Sequence, residues 1–142
     1  MTIAAILQNK GNEVIQLGPD VSLQRAVALL VERRIGCAPV VEDGKVIGIF
    51  SERDVVRAVG AGGADVLSKP VSSMMTSPAV TIAPDMAVMT ALSLMTQRRI
   101  RHLPVLANGD MVGFVSIGDL VKYRIDKIEA EAAAMREYIQ GA

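Results

Sequence analysis

The chain has 142 residues, and its 15 Lys plus Arg residues balance its 15 Asp plus Glu residues. This balance lacks the basic excess that binding to a nucleic-acid backbone demands, and a composition that is 51% hydrophobic excludes a disordered chain. No apolar run approaches the roughly 20 residues of a membrane span, and no signal-peptide pattern follows Met1. The single cysteine, Cys37, excludes an intramolecular disulfide and cannot by itself form a metal site. We therefore expect a soluble, cytoplasmic protein whose partner is neither a nucleic acid nor a membrane.

Residues 1–59 predict a short N-terminal helix, then a strand and a longer helix. The apolar run Val14–Leu17 meets Pro19-Asp20 and is therefore predicted to end as a short strand. A helix follows, and its apolar residues recur at helical spacing at Leu23, Val27, Leu30 and Val31. Gly36 is predicted to end this helix.

A β-hairpin and a second helix complete this first unit. The apolar runs Ala38–Val41 and Val46–Phe50 flank the pair Asp43-Gly44. Such a pair between two apolar runs predicts a hairpin, because a type I′ turn needs positive φ at both central residues. The next helix is predicted to open at Ser51.

Residues 60–76 are predicted to form a flexible linker, since they begin with Gly60-Ala61-Gly62-Gly63. The glycines do not predict a phosphate-binding loop. Asp65 stands where the dinucleotide-binding pattern needs its third glycine, and the cluster follows a helix rather than a strand.

Residues 77–142 repeat the first unit at a constant offset of 65 residues. Roughly a third of the positions in 15–56 match those in 80–121, with no insertion or deletion. The matching residues are Pro19-Asp20 and Pro84-Asp85, Arg33-Arg34-Ile35 and Arg98-Arg99-Ile100, Pro39-Val40 and Pro104-Val105, and Gly44, Gly48, Ser51 and Asp54 with Gly109, Gly113, Ser116 and Asp119. The second unit is therefore also predicted as strand (Ala79–Ile82), helix, hairpin (turning at Asn108-Gly109) and helix. Units of about 60 residues bury too little surface to stand alone, so the two are expected to share a core.

The last helix is predicted to run from about Asp119 toward Ile139. Its apolar residues have the spacing of a heptad seam at Val121, Ile125, Ile128, Ala132, Met135 and Ile139. A helix of about 20 residues is about 30 Å long and extends beyond a small domain. We therefore expect it to pack against a second copy of the chain in a homodimer. The alternative is an amphipathic helix that folds back on its own body.

The repeated pattern resembles the cystathionine-β-synthase-type (CBS) domain, which carries an apolar Pro-Val strand, a Gly-x-apolar-Gly strand and a Ser-x-x-Asp helix start. The resemblance covers about 110 of the 142 residues and is typical of a stand-alone bacterial or archaeal protein with a tandem CBS pair. It implies a mixed α/β (α+β) fold of two βαββα repeats related by a pseudo-twofold, with a long C-terminal helix. It also implies a regulatory, signal-transduction module that binds an adenosine nucleotide (AMP, ADP, ATP or NAD) in the cleft between the repeats and requires no cofactor.

The two Ser-x-x-Asp motifs are the first candidate site residues. On their own, Ser51 with Asp54, and Ser116 with Asp119, predict capped helix N-termini. The CBS resemblance implies in addition that each carboxylate accepts hydrogen bonds from ribose hydroxyls and that each serine helps to hold the sugar or phosphate. Capping and binding are compatible, because a carboxylate has about four lone-pair sites. Asp54 and Asp119 are expected to face a shared crevice.

The resemblance also implies contacts to the base and the phosphates. It places the adenine near Cys37-Ala38-Pro39 and His102-Leu103-Pro104, with Thr81 beside it. The predicted ligand-binding residues are therefore Ser51, Arg53, Asp54, Thr81, Arg101, His102, Leu103, Pro104, Ser116, Asp119, Cys37, Ala38 and Pro39.

Several of these residues keep a structural alternative. Thr81 can be an ordinary strand residue. Arg53 has Gly118 as its counterpart in the second repeat, which favours a role in one site, but it can also be solvated. His102 can be a hydrogen-bonded structural group, and Cys37 is interpreted as a small buried apolar residue rather than a reactive thiol. The arginines that end the first helix of each repeat, Arg33-Arg34 and Arg98-Arg99, are interpreted mainly as structural.

The sequence predicts a binding module rather than an enzyme. It has one His and one Cys, and it lacks His-Glu-x-x-His, Cys-x-x-Cys, P-loop and Gly-x-Ser-x-Gly patterns. The alternative to a nucleotide sensor is a ligand-free interaction or assembly module that acts through the C-terminal helix. The choice of adenosyl ligand, the number of filled sites and the downstream partner stay open at this stage.

Overall fold

Two copies of one helix–hairpin–helix unit, preceded by a short helix, make up the part of the chain that the computed structural model describes, residues 1–11 and 13–141. Ala142, the last residue of the predicted second unit, lies outside that part. The elements are α1 (Ile3–Lys10), α2 (Leu23–Arg33), β1 (Cys37–Glu42), β2 (Lys45–Ser51), α3 (Glu52–Gly62), α4 (Val88–Arg98), β3 (His102–Ala107), β4 (Asp110–Ser116) and α5 (Ile117–Gly141). This architecture confirms the predicted mixed α/β fold with its long C-terminal helix.

The first strand of each repeat is shorter than predicted. Leu17 forms a single parallel bridge with Val40, and the predicted run Val14–Leu17 makes no longer ladder. The N–H of Leu17 donates to Pro39 at 3.0 Å, and its carbonyl accepts from Val41 at 2.9 Å. One residue pair upstream, the ladder would need an N–H from Pro39, which proline lacks. Pro104 has the same effect in the second repeat, where Ile82 alone bridges to Val105 instead of the whole run Ala79–Ile82.

The first helix of each repeat ends at an arginine rather than at a glycine. α2 ends at Arg33, before the predicted stop at Gly36, and Arg34 adopts a left-handed conformation with φ of 54°. Its N–H donates back to the last turn of the helix, which is the role that a C-terminal glycine usually takes. Arg99 caps α4 in the same way, with φ of 55°.

The two hairpins confirm the predicted turns. Asp43 and Gly44 have φ of 51° and 77°, and Asn108 and Gly109 have φ of 53° and 83°, as a type I′ turn requires. β1 pairs antiparallel with β2, and β3 pairs antiparallel with β4, each ladder with one irregularity at the same place in the repeat.

Each repeat is completed by the segment that precedes the other repeat in the chain. α1 buries Ile3, Ile6 and Leu7 in the core of the second repeat, although it precedes the first. The segment between the repeats, in contrast, buries Val66 and Val71 in the core of the first. These apolar anchors belong to two short 3₁₀ helices, Gly63–Ser68 and Val71–Ser73, which pack against the body, and the flexibility of residues 60–76 stays a prediction.

The two units are coupled because α1 and the connecting segment each pack into the core of the repeat that they do not directly precede. The division of the chain at residues 59 and 76 stays a prediction. Among residues 1–11 and 13–141, none of the helices combines the length and the apolarity that crossing a membrane requires.

Candidate functional site

A cavity of about 530 Å³ lies between the two repeats. Ser51 and four residues of α3, Glu52, Arg53, Asp54 and Arg57, line it from the first repeat, and the segment from Arg98 to His102 lines it from the second. Further wall comes from Gly36, Cys37, Ile49, Thr76, Pro78, Ala79 and Val80. Because both repeats supply wall residues, an occupant that fills the cavity would contact both at once.

The carboxylate of Asp54 is fixed at the wall of this cavity. Its side chain is only 2% exposed. The N–H of Ser51 donates to its Oδ2 at 2.9 Å, while the N–H of Asp54 donates to the Ser51 hydroxyl at 3.4 Å, which completes a capping box. The hydroxyl of Thr76 donates to Oδ1 at 2.9 Å, and Nη1 of Arg57 lies 3.6 Å from the same oxygen. Three hydrogen bonds thus orient the carboxylate, from the Ser51 N–H, from the Ser51 hydroxyl at 3.2 Å and from the Thr76 hydroxyl. About one of its four lone-pair sites is left for a further donor.

Arginines surround the rest of the cavity. They are Arg53, Arg57, Arg98, Arg99 and Arg101, and the acidic residues in the same wall are Glu52 and Asp54. Nη1 of Arg53 reaches the carbonyl oxygen of Arg99 at 3.5 Å and so bridges the two repeats. This excess of guanidinium groups suits an anionic group such as a phosphate, which arginine binds through paired N–H donors.

Cys37 and His102 line the cavity as neutral groups. Burial, and then the charge of Asp54, raise the pKa of the Cys37 thiol to about 12. Burial is also the main cause that lowers the pKa of His102, and the nearby ammonium of Lys10 adds to it. The imidazole stacks on Phe114, with 5.6 Å between ring centroids and an angle of 15° between the rings. At neutral pH both groups therefore offer polar but uncharged surface.

The other residues predicted near the adenine lie outside the cavity wall. Ala38, Pro39, Leu103 and Pro104 are buried in the hairpins, and Thr81 is exposed. Their contact with a base stays a prediction.

The second Ser-x-x-Asp motif has different surroundings. The N–H of Ser116 donates to Asp119 at 2.8 Å, and the N–H of Asp119 donates to the Ser116 hydroxyl at 3.1 Å, so the local cap is the same as in the first repeat. The ammonium of Lys10, however, lies 2.6 Å from Oδ2 of Asp119. Neither Ser116 nor Asp119 is part of the wall of the cavity described above. The structure therefore brings Asp54, Arg53, Arg101 and His102 together but not Asp119 with them.

The cavity wall includes residues that were not predicted as site residues, among them Arg57, Arg98, Arg99 and Thr76. Arg57 follows Asp54 by one helical turn, and that spacing could have indicated it. Arg98 and Arg99 were interpreted as helix-end residues, and the end of α4, where they lie, is part of the cavity wall. No local signal marks Thr76, because its contact with Asp54 depends on how the linker packs.

The chain belongs to the CBS domain family. The family model for the CBS domain matches residues 10–61 and again residues 71–126, so both repeats are members. The chain is 30% identical to the CBS domain-containing protein YhcV of Bacillus subtilis, over 92% of this chain and 93% of that protein.

Solved structures show the same fold. The CBS-domain containing protein ATU1752 of Agrobacterium tumefaciens is 41% identical, with a TM-score of 0.84 over 87% of this chain and 99% of that one. A CBS domain protein of Pyrobaculum aerophilum, solved in complex with AMP, is 26% identical, with a TM-score of 0.74 over 84% of this chain and 89% of that one. Stand-alone CBS pairs are thus the proteins to which this chain is similar.

Proposed function

We propose that this chain is a regulatory, signal-transduction module that binds an adenosine nucleotide in the cavity between its two CBS repeats. The observation that carries the proposal is the joint presence, in one wall, of the fixed carboxylate of Asp54 and five arginines. The volume of about 530 Å³ lies in the range of small-molecule sites. The AMP complex of the Pyrobaculum relative supports the same ligand class.

Each part of a nucleotide has a matching group in the cavity. The 2′-hydroxyl of the ribose would donate to the remaining lone-pair site of Asp54, whose orientation is already fixed by Ser51 and Thr76. The phosphate would bind Arg53 and Arg101, one from each repeat. Ile49, Val80 and Ile100 supply apolar wall for the base.

The mechanism follows from the shared wall. A nucleotide that contacts both repeats binds best to one relative arrangement of them, and it shifts the population toward that arrangement by its differential affinity. Binding therefore changes the shape or the assembly of the chain without chemistry on the ligand. We propose accordingly that the chain is not an enzyme and that it needs no cofactor.

We also propose that the chain acts in the cytoplasm. The sequence has a single cysteine, and that cysteine is buried and in the thiol form, which suits a reducing compartment.

Isothermal titration calorimetry tests the binding proposal. AMP, ADP, ATP and NAD are titrated into the wild-type protein, and the best ligand is compared with its 2′-deoxy form. Since the deoxy ligand leaves an acceptor of Asp54 unmatched, we expect it to bind at least about tenfold more weakly. Asp54→Asn should cause a similar loss, whereas the control Asp110→Asn, at an exposed residue of the second hairpin, should bind normally. Absence of heat with all four ligands, or equal binding of ribose and deoxyribose forms, would contradict the proposal.

A second candidate function is assembly through α5. The heptad positions of this helix are exposed, with Ile128 at 48%, Met135 at 61% and Ile139 at 67%. A continuous apolar stripe of this kind is favoured where a partner helix covers it, and we propose a second copy of this chain as that partner. Sedimentation equilibrium of Ile128→Glu should then report monomers under conditions in which wild type and Ala130→Glu form dimers. A monomeric wild type would exclude this role.

A further inference from the structure

The two repeats orient their carboxylates in the same way. The N–H of Ser51 donates to Asp54 at 2.9 Å, and the N–H of Ser116 donates to Asp119 at 2.8 Å. Each aspartate N–H donates in return to the serine hydroxyl, at 3.4 Å and 3.1 Å. Both repeats therefore build the same acceptor, so a difference in ligand binding has to come from what lies against it.

Lys10 lies against the acceptor of the second repeat. Its ammonium is 2.6 Å from Oδ2 of Asp119 and donates to the carbonyl oxygen of Phe114 at 2.7 Å. Partial burial opposes ionisation of Asp119, but hydrogen bonds from Lys10 and from the Ser116 N–H outweigh it and lower its pKa. The carboxylate is therefore ionised at neutral pH and already paired with a side chain of the same molecule.

Packing of α1 holds Lys10 in this position. Ile3 and Ile6 of the helix are buried in the core of the second repeat. On the facing strand, a Cβ on Gly113 would collide with Cδ2 of Leu7, so α1 rests directly on β4. Lys10 is the last residue of the helix anchored in this way.

The first repeat has a different residue against its carboxylate. Thr76 donates its hydroxyl to Oδ1 of Asp54 and its N–H to the carbonyl oxygen of Ile49, just as Lys10 donates to Asp119 and to Phe114 in the second repeat. The Thr76 hydroxyl carries no charge. The cation nearest to Asp54 is Arg57, 3.6 Å from Oδ1, and it belongs to the cavity wall, so Asp54 stays beside the cavity.

The arginines show the same asymmetry. Arg53 and Arg101 line the cavity of the first carboxylate, whereas the positions related to them by the repeat hold Gly118 and Gly36. An anionic ligand at Asp119 would find neither of these two arginines, and it would have to displace Lys10.

We propose that Lys10 is a built-in occupant of the second carboxylate site, so that each chain binds one adenosine nucleotide, in the cavity beside Asp54. The proposal rests on the proposed function and adds the stoichiometry to it. A hydrogen bond from an ammonium to a carboxylate carries charge on both partners, whereas one from a ribose hydroxyl carries charge on the acceptor alone, which is why the lysine keeps the site.

Calorimetry with AMP on wild type and Lys10→Met tests the stoichiometry. The substitution removes the ammonium group from Asp119 and keeps an unbranched side chain in its place. We expect one site per chain in wild type and a second, weaker site in Lys10→Met. The matched control is Lys45→Met, which removes an exposed lysine that lies 3.5 Å from Asp110, and it should retain one site.

Two sites in wild type, or a single site in Lys10→Met, would overturn the proposal while nucleotide binding itself stood. Absence of binding in all variants would instead refute the proposed function, and the stoichiometry with it. A ligand-free measurement separates these cases. The carboxyl ¹³C signal of Asp119 should titrate at higher pH in Lys10→Met than in wild type, and an unchanged midpoint would contradict the Lys10–Asp119 contact whatever the nucleotide does.

Discussion

The Nη1 atom of Arg53 lies 3.5 Å from the carbonyl oxygen of Arg99, and this contact joins the first turn of α3 to the end of α4. The carbonyl oxygen of Arg99 can accept this bond because Arg99 is the C-cap of α4, and no further helical turn follows to donate an N–H to it. Both residues line the cavity. A ligand that recruits the guanidinium of Arg53 therefore acts on a contact between the repeats.

Replacing Arg53 by alanine should weaken nucleotide binding but leave nucleoside binding intact. A guanidinium donates charge-assisted hydrogen bonds to phosphate, so we expect the affinity for AMP to fall about tenfold. Adenosine has no phosphate, and its affinity should stay unchanged. Calorimetry with both ligands measures the difference, and Arg124→Ala on α5 removes the same charge outside the cavity. Equal losses for AMP and adenosine would mean that Arg53 acts by holding the repeats together.

His102 should make the folded state less stable in mild acid. Its folded pKa is lowered from 6.5, mainly by burial and then by Lys10, with Asp119 and Glu52 opposing and Arg101 adding to the effect. As pH falls, His102 therefore takes up its proton in the unfolded chain first. The contribution of the neutral imidazole to the stability of the folded state is complete above pH 6.5 and is lost as pH falls through the folded pKa.

Urea unfolding from about pH 7.5 to about pH 5 measures this dependence. His102 is the single histidine of the sequence, so His102→Asn should flatten the slope in that window. An equally steep slope in the variant would assign the dependence to other groups.

The parts of the fold that local rules control were predictable from the sequence. Asp43-Gly44 and Asn108-Gly109 predicted the hairpins because few other pairs accept positive φ twice. The capping box at Ser51 followed from the Ser-x-x-Asp spacing. Even the shortened first strands follow from a local rule, the missing N–H of Pro39, although the apolar run alone suggested more.

The parts that depend on long-range packing were not predictable. Lys10 and Asp119 are 109 residues apart, and nothing near either one indicates the pair. Their contact arises because α1 completes the core of the repeat that lies farther along the chain. The expectation that both carboxylates face one crevice assumed that the two carboxylates have identical neighbours, whereas Thr76 contacts Asp54 and Lys10 contacts Asp119.

Cys37 should be an unreactive thiol in the folded protein. Burial, followed by the charge of Asp54, raises its pKa to about 12, and only the thiolate attacks disulfide reagents. We expect labelling at neutral pH to be slower by about two to three orders of magnitude in the folded protein than in urea. The chain has one cysteine, so absorbance of the released thiol reports this site alone. Labelling at similar rates in both states would show that the thiol is neither buried nor neutral.

Replacing Gly48 by alanine should destabilise the first repeat and loosen the support of Asp54. A Cβ at this position would lie 2.6 Å from Sδ of Met75 and 2.9 Å from the backbone oxygen of Thr76. The sulfur belongs to a flexible side chain and can move, but the backbone oxygen is held by the pairing of Thr76 with Ile49. We therefore expect the free energy of unfolding to fall by about 1–3 kcal/mol, the usual effect of overpacking.

Gly60→Ala is the matched control for this prediction. Gly60 lies inside α3, where an added Cβ meets nothing within 4 Å, so the same substitution should raise the free energy of unfolding by about 0.5–1 kcal/mol. Urea denaturation measures both variants. Because the hydroxyl of Thr76 also donates to Asp54, Gly48→Ala should in addition weaken AMP binding, whereas Gly60→Ala should not. A Gly48→Ala variant as stable as wild type would contradict the close packing of the linker on β2.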